Sequence, residues 1–419
     1  MVKLSFMGGT HEVGRNAIVL HSNEAKLLLE YGVRIGEPPE FPAHVRAKDL
    51  DGIVIAHAHL DHSGGVPMFY ISEKKPLFCT STTADIVKIL IEDMIKLNNY
   101  YLPFEYIELD NMLKQRNDLA YGQEVKLKDI NFNLQNAGHI PGSAMVDIEV
   151  NGKNILYTSD FNSVETRLCT AAKIPKKKYD AVIIEATYAT HEHPDRKQLE
   201  VEFVKAVKDV VNGGGKVLIP AFAVGRSQEM FSILHAHGFE GIIVLDGMAR
   251  AVNRTLLDKQ DAVKTPATFE QASMNVQEVR GWRDRRKAIS QANVIIAPSG
   301  MLQGGTAIFY MEKLGFRTEN AVFLVSFQVP GTGGSKLLEQ GTFTVAEKDE
   351  KVTAKVRHFD FSSHTGATPL QNFIKGLKGK PDLYVVHGEP DSCDFLAQWA
   401  QDECGLKAAA PNQGDEFEV

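Results

Sequence analysis

Cysteine is scarce in this chain. Cys79, Cys169, Cys393 and Cys404 lie far apart and none forms a C-x-x-C pair. That argues against a disulfide framework and for reduced thiols in a cytoplasmic protein. No uncharged apolar run reaches the roughly 18 residues of a membrane span, and the opening MVKLSFMGGT lacks the apolar stretch of a secretory leader. Positive charge is not in excess either, since 46 Lys and Arg stand against 53 Asp and Glu for a net charge of −7. This excludes nucleic-acid binding through bulk charge but leaves room for a local basic groove. Internal repeats and low-complexity tracts are also missing.

What remains is an ordinary globular composition, 43% hydrophobic over 419 residues, enough for two domains or for one domain with a large insertion. Up to about residue 185 the chain reads as short apolar strands bounded by Gly or polar turns, among them VKLSFM, NAIVLH, KLLLEYG, GIVIAHA, INFNLQNAG and NILYTSD. Helical spacing appears over residues 83–101. From about residue 197 the rhythm changes. Helices such as KQLEVEFVKAVKDVVN and GRSQEMFSILHAHG alternate with strands such as KVLIPAF, GIIVLDG, NVIIAPS and AVFLVSF. Alternation of this kind implies βαβ units and a parallel sheet. Strand-like segments return after about residue 340.

The densest chemistry is VIAHAHLDHSGG. His57, His59, Asp61 and His62 follow an apolar run. In an extended segment residues two apart face the same way, so His57 and His59 can converge on one point. Asp61 and His62 fall where the chain turns and can reach a second point nearby. Imidazole and carboxylate together suit zinc or a similar transition ion. Three further candidates sit at strand ends, His139 in NAGHIPGSA, Asp160 in NILYTSD and His387 in DLYVVHG.

This series of motifs resembles the metallo-β-lactamase superfamily. The resemblance implies an αββα sandwich carrying two Zn(2+) ions per chain at one edge. His57, His59 and His139 would hold one ion, Asp61, His62 and His387 the other, and Asp160 would bridge them. One departure is Glu30 in LLLEYG, where the family usually has Asp supporting the metal loop from behind.

The middle of the chain looks like the β-CASP group, the nucleic-acid-processing branch of that superfamily. Glu185 in IIEATY, His364 in DFSSHTG and His387 fall at its extra motifs. Within the group the chain is most similar to archaeal relatives of the cleavage and polyadenylation endonuclease subunit, and more distantly to ribonuclease J. The RNA-binding extension that precedes the catalytic core in some archaeal relatives is not expected here. The fold expected is therefore α/β, an αββα sandwich (residues 1–190 and 341–419) interrupted by an inserted α/β domain with a mainly parallel sheet (residues 191–340).

The resemblance implies a ribonuclease acting on single-stranded RNA, as an endonuclease, a 5′-to-3′ exonuclease or both. Products would carry a 3′-hydroxyl and a 5′-phosphate. His364 would be the general acid, oriented by Glu185, with Asp61 and Asp160 at the reacting centre. Gly225 and Arg226 at a helix start, and the small-residue turns with Ser299, Gly300 and Gly333, are candidate phosphate contacts. The glycine turn reads GTGGS, so a contact at Ser335 is not expected. The basic run RGWRDRRK (280–287) reads as a solvated helix face, or else as part of an RNA path with Trp282 stacking a base. PKKKYD reads as a surface loop, and His191 and His193 as polar loop residues. A homodimer or a larger RNA-processing complex is the implied assembly, with no membrane. The metal motifs alone also allow a small-molecule hydrolase of thioesterase or lactonase type, an inactive RNA-binding scaffold, or a DNA nuclease.

Overall fold

A computed structural model describes residues 2–36, 38–97 and 101–419. The chain forms two compact units. The first gathers Met1–Glu165, Thr170–Glu192 and Ser363–Val419, and the second Thr166–Cys169 and His193–Ser362.

The first unit holds two seven-stranded sheets. In one, the strands run in the order Glu416–Glu418, Lys3–Gly8, Ala17–His21, Lys26–Leu29, Gly52–Val54, Leu77–Cys79 and Arg116–Asp118. Pairing is antiparallel up to Lys26–Leu29 and parallel beyond it. The other sheet runs Ala408–Ala409, Asp382–Val386, Ala181–Glu185, Lys153–Tyr157, Ala144–Val150, Ile130–Asn136 and Val125–Leu127. Its first four strands are parallel and the rest antiparallel.

Alternation along these strands sends one set of apolar residues between the sheets. Leu4, Phe6, Ile18, Leu20, Leu27 and Leu29 meet Phe132, Leu134, Val146, Ile148, Ile155 and Ile183 in one buried cluster. The opposite face of the second sheet, with Leu156, Val182, Ile184, Leu383 and Val385, is covered by the helices Ala367–Gly376 and Pro390–Cys404. The helix expected over 83–101 runs Ser81–Leu97. Residues 98–100 of that expectation lie outside the described residues. The architecture is the expected αββα sandwich.

The second unit is built on a six-stranded sheet in the order Val276–Glu278, Ile243–Leu245, Val294–Ala297, Val217–Pro220, Ala321–Leu324 and Lys355–His358. All its pairings are parallel, as the strand–helix alternation implied. The chain returns to the first unit at Ser363, later than the expected 341. Two features account for the delay. Thr342–Val345 and Lys348–Lys351 close a separate hairpin, and Lys355–His358 adds to the inserted sheet beside Ala321–Leu324. Taken alone, a short strand does not reveal which sheet it joins. Among the described residues no helix is long and apolar enough to cross a membrane.

Candidate metal centre

The site lies where strands of the first unit end. Glu30 follows Lys26–Leu29, and His57 follows the neighbouring Gly52–Val54. His139 follows Ile130–Asn136, Asp160 follows Lys153–Tyr157, Glu185 closes Ala181–Glu185 and His387 follows Asp382–Val386. The last three strands are parallel neighbours, so their carboxyl ends share one edge. Three of the turns carry a non-glycine residue at positive φ: Glu30 at 62°, Ser159 at 48° and His387 at 51°. Each such turn costs on the order of 1 kcal/mol, and costs of this kind gather at functional sites.

The histidine-rich loop is held down by its neighbours. Asn16 N–H donates to the Asp61 carbonyl at 2.9 Å, Tyr31 N–H to that of His62 at 3.0 Å and Val33 N–H to that of Leu60 at 2.9 Å. This packing leaves no room at Gly32, where a Cβ would lie 1.6 Å from the Asp61 carbonyl oxygen. The extended link then turns into the short helix Leu60–Ser63, which carries Asp61 and His62.

The structure brings the expected residues into two groups, each with its ligand atoms within 4.8 Å of one another. One is His57, His59, His139 and Asp160, and the other is Asp61, His62 and His387. Asp160 stands between them. Its Oδ2 is 3.5 Å from His57 Nε2 and 3.3 Å from His62 Nε2, and its Oδ1 is 3.0 Å from His387 Nδ1. His387 Nε2 lies 3.3 Å from Asp61 Oδ2. His59 Nδ1 faces His139 Nε2 at 3.2 Å.

The chemistry of this donor set fits a cation. His57 Nε2 is buried without a hydrogen-bond partner, a cost that a bound ion would relieve. Burial holds the first three imidazoles in the neutral form that ligates. His59 is pushed down to about 3, and His57 and His139 are also lowered, each chiefly by burial. On the other side the carboxylates dominate. Burial pulls His387 down, but the Asp160 charge and the hydrogen bonds to Asp160 and Asp61 together raise the imidazole to about 10. His62 is raised against burial in the same way by Asp160, Glu30 and Asp61. The carboxylates thus draw positive charge into the cluster.

Sequence reasoning named Glu30 behind the cluster but missed the residues that hold it. The Glu30 side chain is fully buried, with Oε2 2.5 Å from His62 Nδ1 and Oε1 3.7 Å from His57 Nδ1. Ser159 Oγ donates to Oε1 at 2.9 Å and lies 3.2 Å from His57 Nδ1. Asn16 Nδ2 donates to Oε2 at 2.7 Å, and the Tyr157 hydroxyl also donates to Oε2. One carboxylate therefore orients imidazoles of both groups, as partners behind metal ligands do. The only signal in the sequence was Glu30 itself, with Gly32 two residues on.

His364 and Glu185 come together as expected. His364 Nδ1 is 3.0 Å and 3.1 Å from the two carboxylate oxygens of Glu185, and its Nε2 is 3.9 Å from Asp160 Oδ2. Residues 363–365 are stapled beside Asp160. Thr365 N–H donates to the Phe161 carbonyl at 2.9 Å, and Ser163 N–H donates to Thr365 Oγ1 at 2.9 Å. Glu185 Oε1 also accepts from Phe161 N–H at 3.0 Å. Burial pulls the His364 pKa down, and the charges of Glu185 and Asp160 outweigh it, so the net shift is upward.

The remaining candidates lie in the second unit, at the carboxyl ends of three adjacent strands, where open α/β sheets bind ligands. Gly225 and Arg226 follow Val217–Pro220 and open the helix Arg226–Ala236. Ser299 and Gly300 follow Val294–Ala297, and Gly333 starts the helix Gly333–Gln340 beyond Ala321–Leu324. A Cβ on Gly333 would lie 2.4 Å from the Leu302 carbonyl oxygen, so these turns pack closely on one another. The Ser335 hydroxyl donates to Glu339 at 2.5 Å. His193 Nδ1 pairs with Asp360 Oδ2 at 2.7 Å within this unit.

Comparison with known proteins agrees with this geometry. Residues 227–337 match the model of the Beta-Casp domain, and residues 349–411 that of the Zn-dependent metallo-hydrolase RNA specificity domain. Residues 6–199 match the model of the anti-Pycsar protein Apyc1. The protein named RNase aCSPSF2 of Saccharolobus solfataricus is 36% identical over 99% of this chain and 85% of its own length. The chain belongs to the β-CASP family of the metallo-β-lactamase superfamily. A second relative, "Probable RNase MJ4" of Methanocaldococcus jannaschii, is 33% identical over 100% of both chains. The transcription termination factor FttA of Pyrococcus horikoshii is 31% identical over 99% of this chain and 70% of its own. A crystal structure of an Enterococcus faecalis protein of unknown function shares the fold, with a TM-score of 0.64, 13% identity and 99% of each chain covered. The metallo-hydrolase family and the His/Asp clusters together fit a metal site in this β-CASP chain.

Proposed function

We propose that this protein is a zinc-dependent ribonuclease that hydrolyses phosphodiester bonds of single-stranded RNA, leaving a 3′-hydroxyl and a 5′-phosphate. The observation that carries the reading is the convergence of His57, His59, Asp61, His62, His139, Asp160 and His387 beside the His364–Glu185 pair. The ribonuclease names of relatives 33–36% identical over the full chain support RNA as substrate.

His57, His59, His139 and Asp160 would hold one zinc ion, and Asp61, His62 and His387, with Asp160 shared, a second. Such a pair, when bound, supplies an activated water and positive charge against the phosphate. The chain's own residues do the rest. Asp160 stands between the two groups and keeps both facing one phosphate. His364 carries a proton on Nε2 and delivers it to the departing 3′ oxygen. Glu185 holds the Nδ1 proton, fixes the ring and keeps the imidazole charged to higher pH. Gly225, Arg226, Ser299, Gly300 and Gly333 would offer N–H groups and a guanidinium to RNA phosphates.

We place the enzyme in the cytoplasm, as a homodimer or within a larger RNA-processing complex, with endonuclease or 5′-to-3′ exonuclease action. RNA bearing either a 5′-monophosphate or a blocked 5′ end separates the two modes. A His364→Ala protein is expected to keep its metal and lose most cleavage. Cleavage at the normal rate would refute the acid role, and cleavage of a chromogenic ester but no RNA would refute the ribonuclease.

A further inference from the structure

In the second unit an indole stands out from the surface. Trp282 is 62% exposed and opens the helix Trp282–Gln291. The ring is nevertheless fixed in place. The Arg285 guanidinium lies over it, 4.8 Å from its centroid, and Phe309 packs edge-on at 5.4 Å. Arg285 is anchored in turn. Its Nε and Nη2 donate to the Asp246 carboxylate at 2.7 Å and 3.0 Å. Asp246 is only 1% exposed and also accepts from the Tyr310 hydroxyl at 2.9 Å. Tyr310 belongs to the apolar core of the unit. A rigid line therefore runs from the core through Tyr310, Asp246 and Arg285 to an indole that faces solvent.

The charge around that indole is opposite to the charge of the chain. Residues 280–287 hold five cations and the single carboxylate of Asp284, while the whole protein carries −7. Arg280, Arg283, Arg286 and Lys287 are exposed. A solvated helix face needs neither a buried carboxylate beneath it nor a fixed, exposed tryptophan. Proteins that hold single strands combine cationic side chains along the backbone with aromatic rings on which bases stack.

We propose that Trp282 is a base-stacking platform for single-stranded RNA, with the surrounding cations holding the flanking phosphates. The choice of RNA rests on the ribonuclease reading. A duplex keeps its bases stacked and paired and offers no free face to the indole.

The chain has two tryptophans, and the other, Trp399, is partly buried against the apolar cluster of the first unit. In full-length Trp399→Phe protein, emission therefore reports Trp282 alone. Stopped-flow mixing with an unstructured single-stranded RNA, read before turnover, is expected to give saturable quenching, and an RNA duplex of equal length little. Read by the fluorescence polarisation of dye-labelled single-stranded RNA, Trp282→Ala should weaken the Kd about tenfold, within the range that loss of one base–aromatic stack produces. Trp282→Phe should recover most of it. Wild-type affinity in Trp282→Ala, or equal quenching by the duplex, overturns the platform. Quenching by single strands in a protein that cleaves no RNA would support the platform while refuting the ribonuclease.

Discussion

Oε2 of Glu30 lies 2.5 Å from Nδ1 of His62, and the Glu30 side chain has no exposure to solvent. Burial alone would push this carboxyl up. The charge of His62, its hydrogen bond and the nearby His57 imidazole together outweigh burial and hold it well below the usual carboxylate range. Glu30→Gln keeps the size and removes the charge. It is expected to weaken metal binding about 10- to 100-fold, the cost of losing a partner behind metal-binding histidines. Metal titration of the chelated protein, followed by elemental analysis, measures it. Unchanged affinity would remove Glu30 from the site.

Gly32 offers a steric test of the same loop. Because a Cβ there would lie 1.6 Å from the Asp61 carbonyl oxygen and 2.7 Å from His62 N, Gly32→Ala must displace the segment that carries Asp61 and His62. About one metal ion per chain should be lost, with the protein still folded by circular dichroism. Retention of full metal content and activity would mean that the loop tolerates the shift.

Much of this site was legible because candidate metal ligands are chemically distinctive residues at strand ends. His57, His59, Asp61 and His62 stand in one short stretch, and His139, Asp160 and His387 each follow an apolar run. That Asp160 and His387 would share one edge was legible from the family resemblance, not from spacing. Asn16, Tyr157 and Ser159 were not legible, since an ordinary polar residue shows its partner only after folding. The three-residue strands Leu77–Cys79, Arg116–Asp118 and Val276–Glu278 were also missed, being too short to display alternation. The return point near 340 was misplaced because the pairing of Lys355–His358 with Ala321–Leu324 depends on contact, not composition.

Glu185 sets the proton affinity of His364. A raised imidazole pKa means that the protonated acid persists to higher pH and is lost as pH rises through that value. Glu185→Gln removes the carboxylate that raises it, so the alkaline limb of kcat should move to lower pH. His364→Ala should abolish that limb and lower kcat by about 10²- to 10⁴-fold. A pH–rate profile unchanged in Glu185→Gln would separate Glu185 from the acid.

The later boundary of the inserted unit has an energetic consequence. Phe203 is fully buried, and its ring meets those of Phe323, Phe359 and Phe361. Phe203→Ala should cost about 3–5 kcal/mol, read as a shift in denaturant midpoint for the second unit. A loss under about 1 kcal/mol would show that residues 359–361 are not packed into that unit's core.

The most direct test counts metal and cleavage together. Purified protein is analysed for zinc per chain, stripped with a chelator, and reloaded in steps while cleavage of end-labelled single-stranded RNA is followed. Two zinc ions per chain are expected, with cleavage lost on stripping and restored as the second ion returns, and with neither count nor cleavage recovered in Asp160→Ala. Full cleavage by metal-free protein, or two ions retained in Asp160→Ala, would contradict the reading.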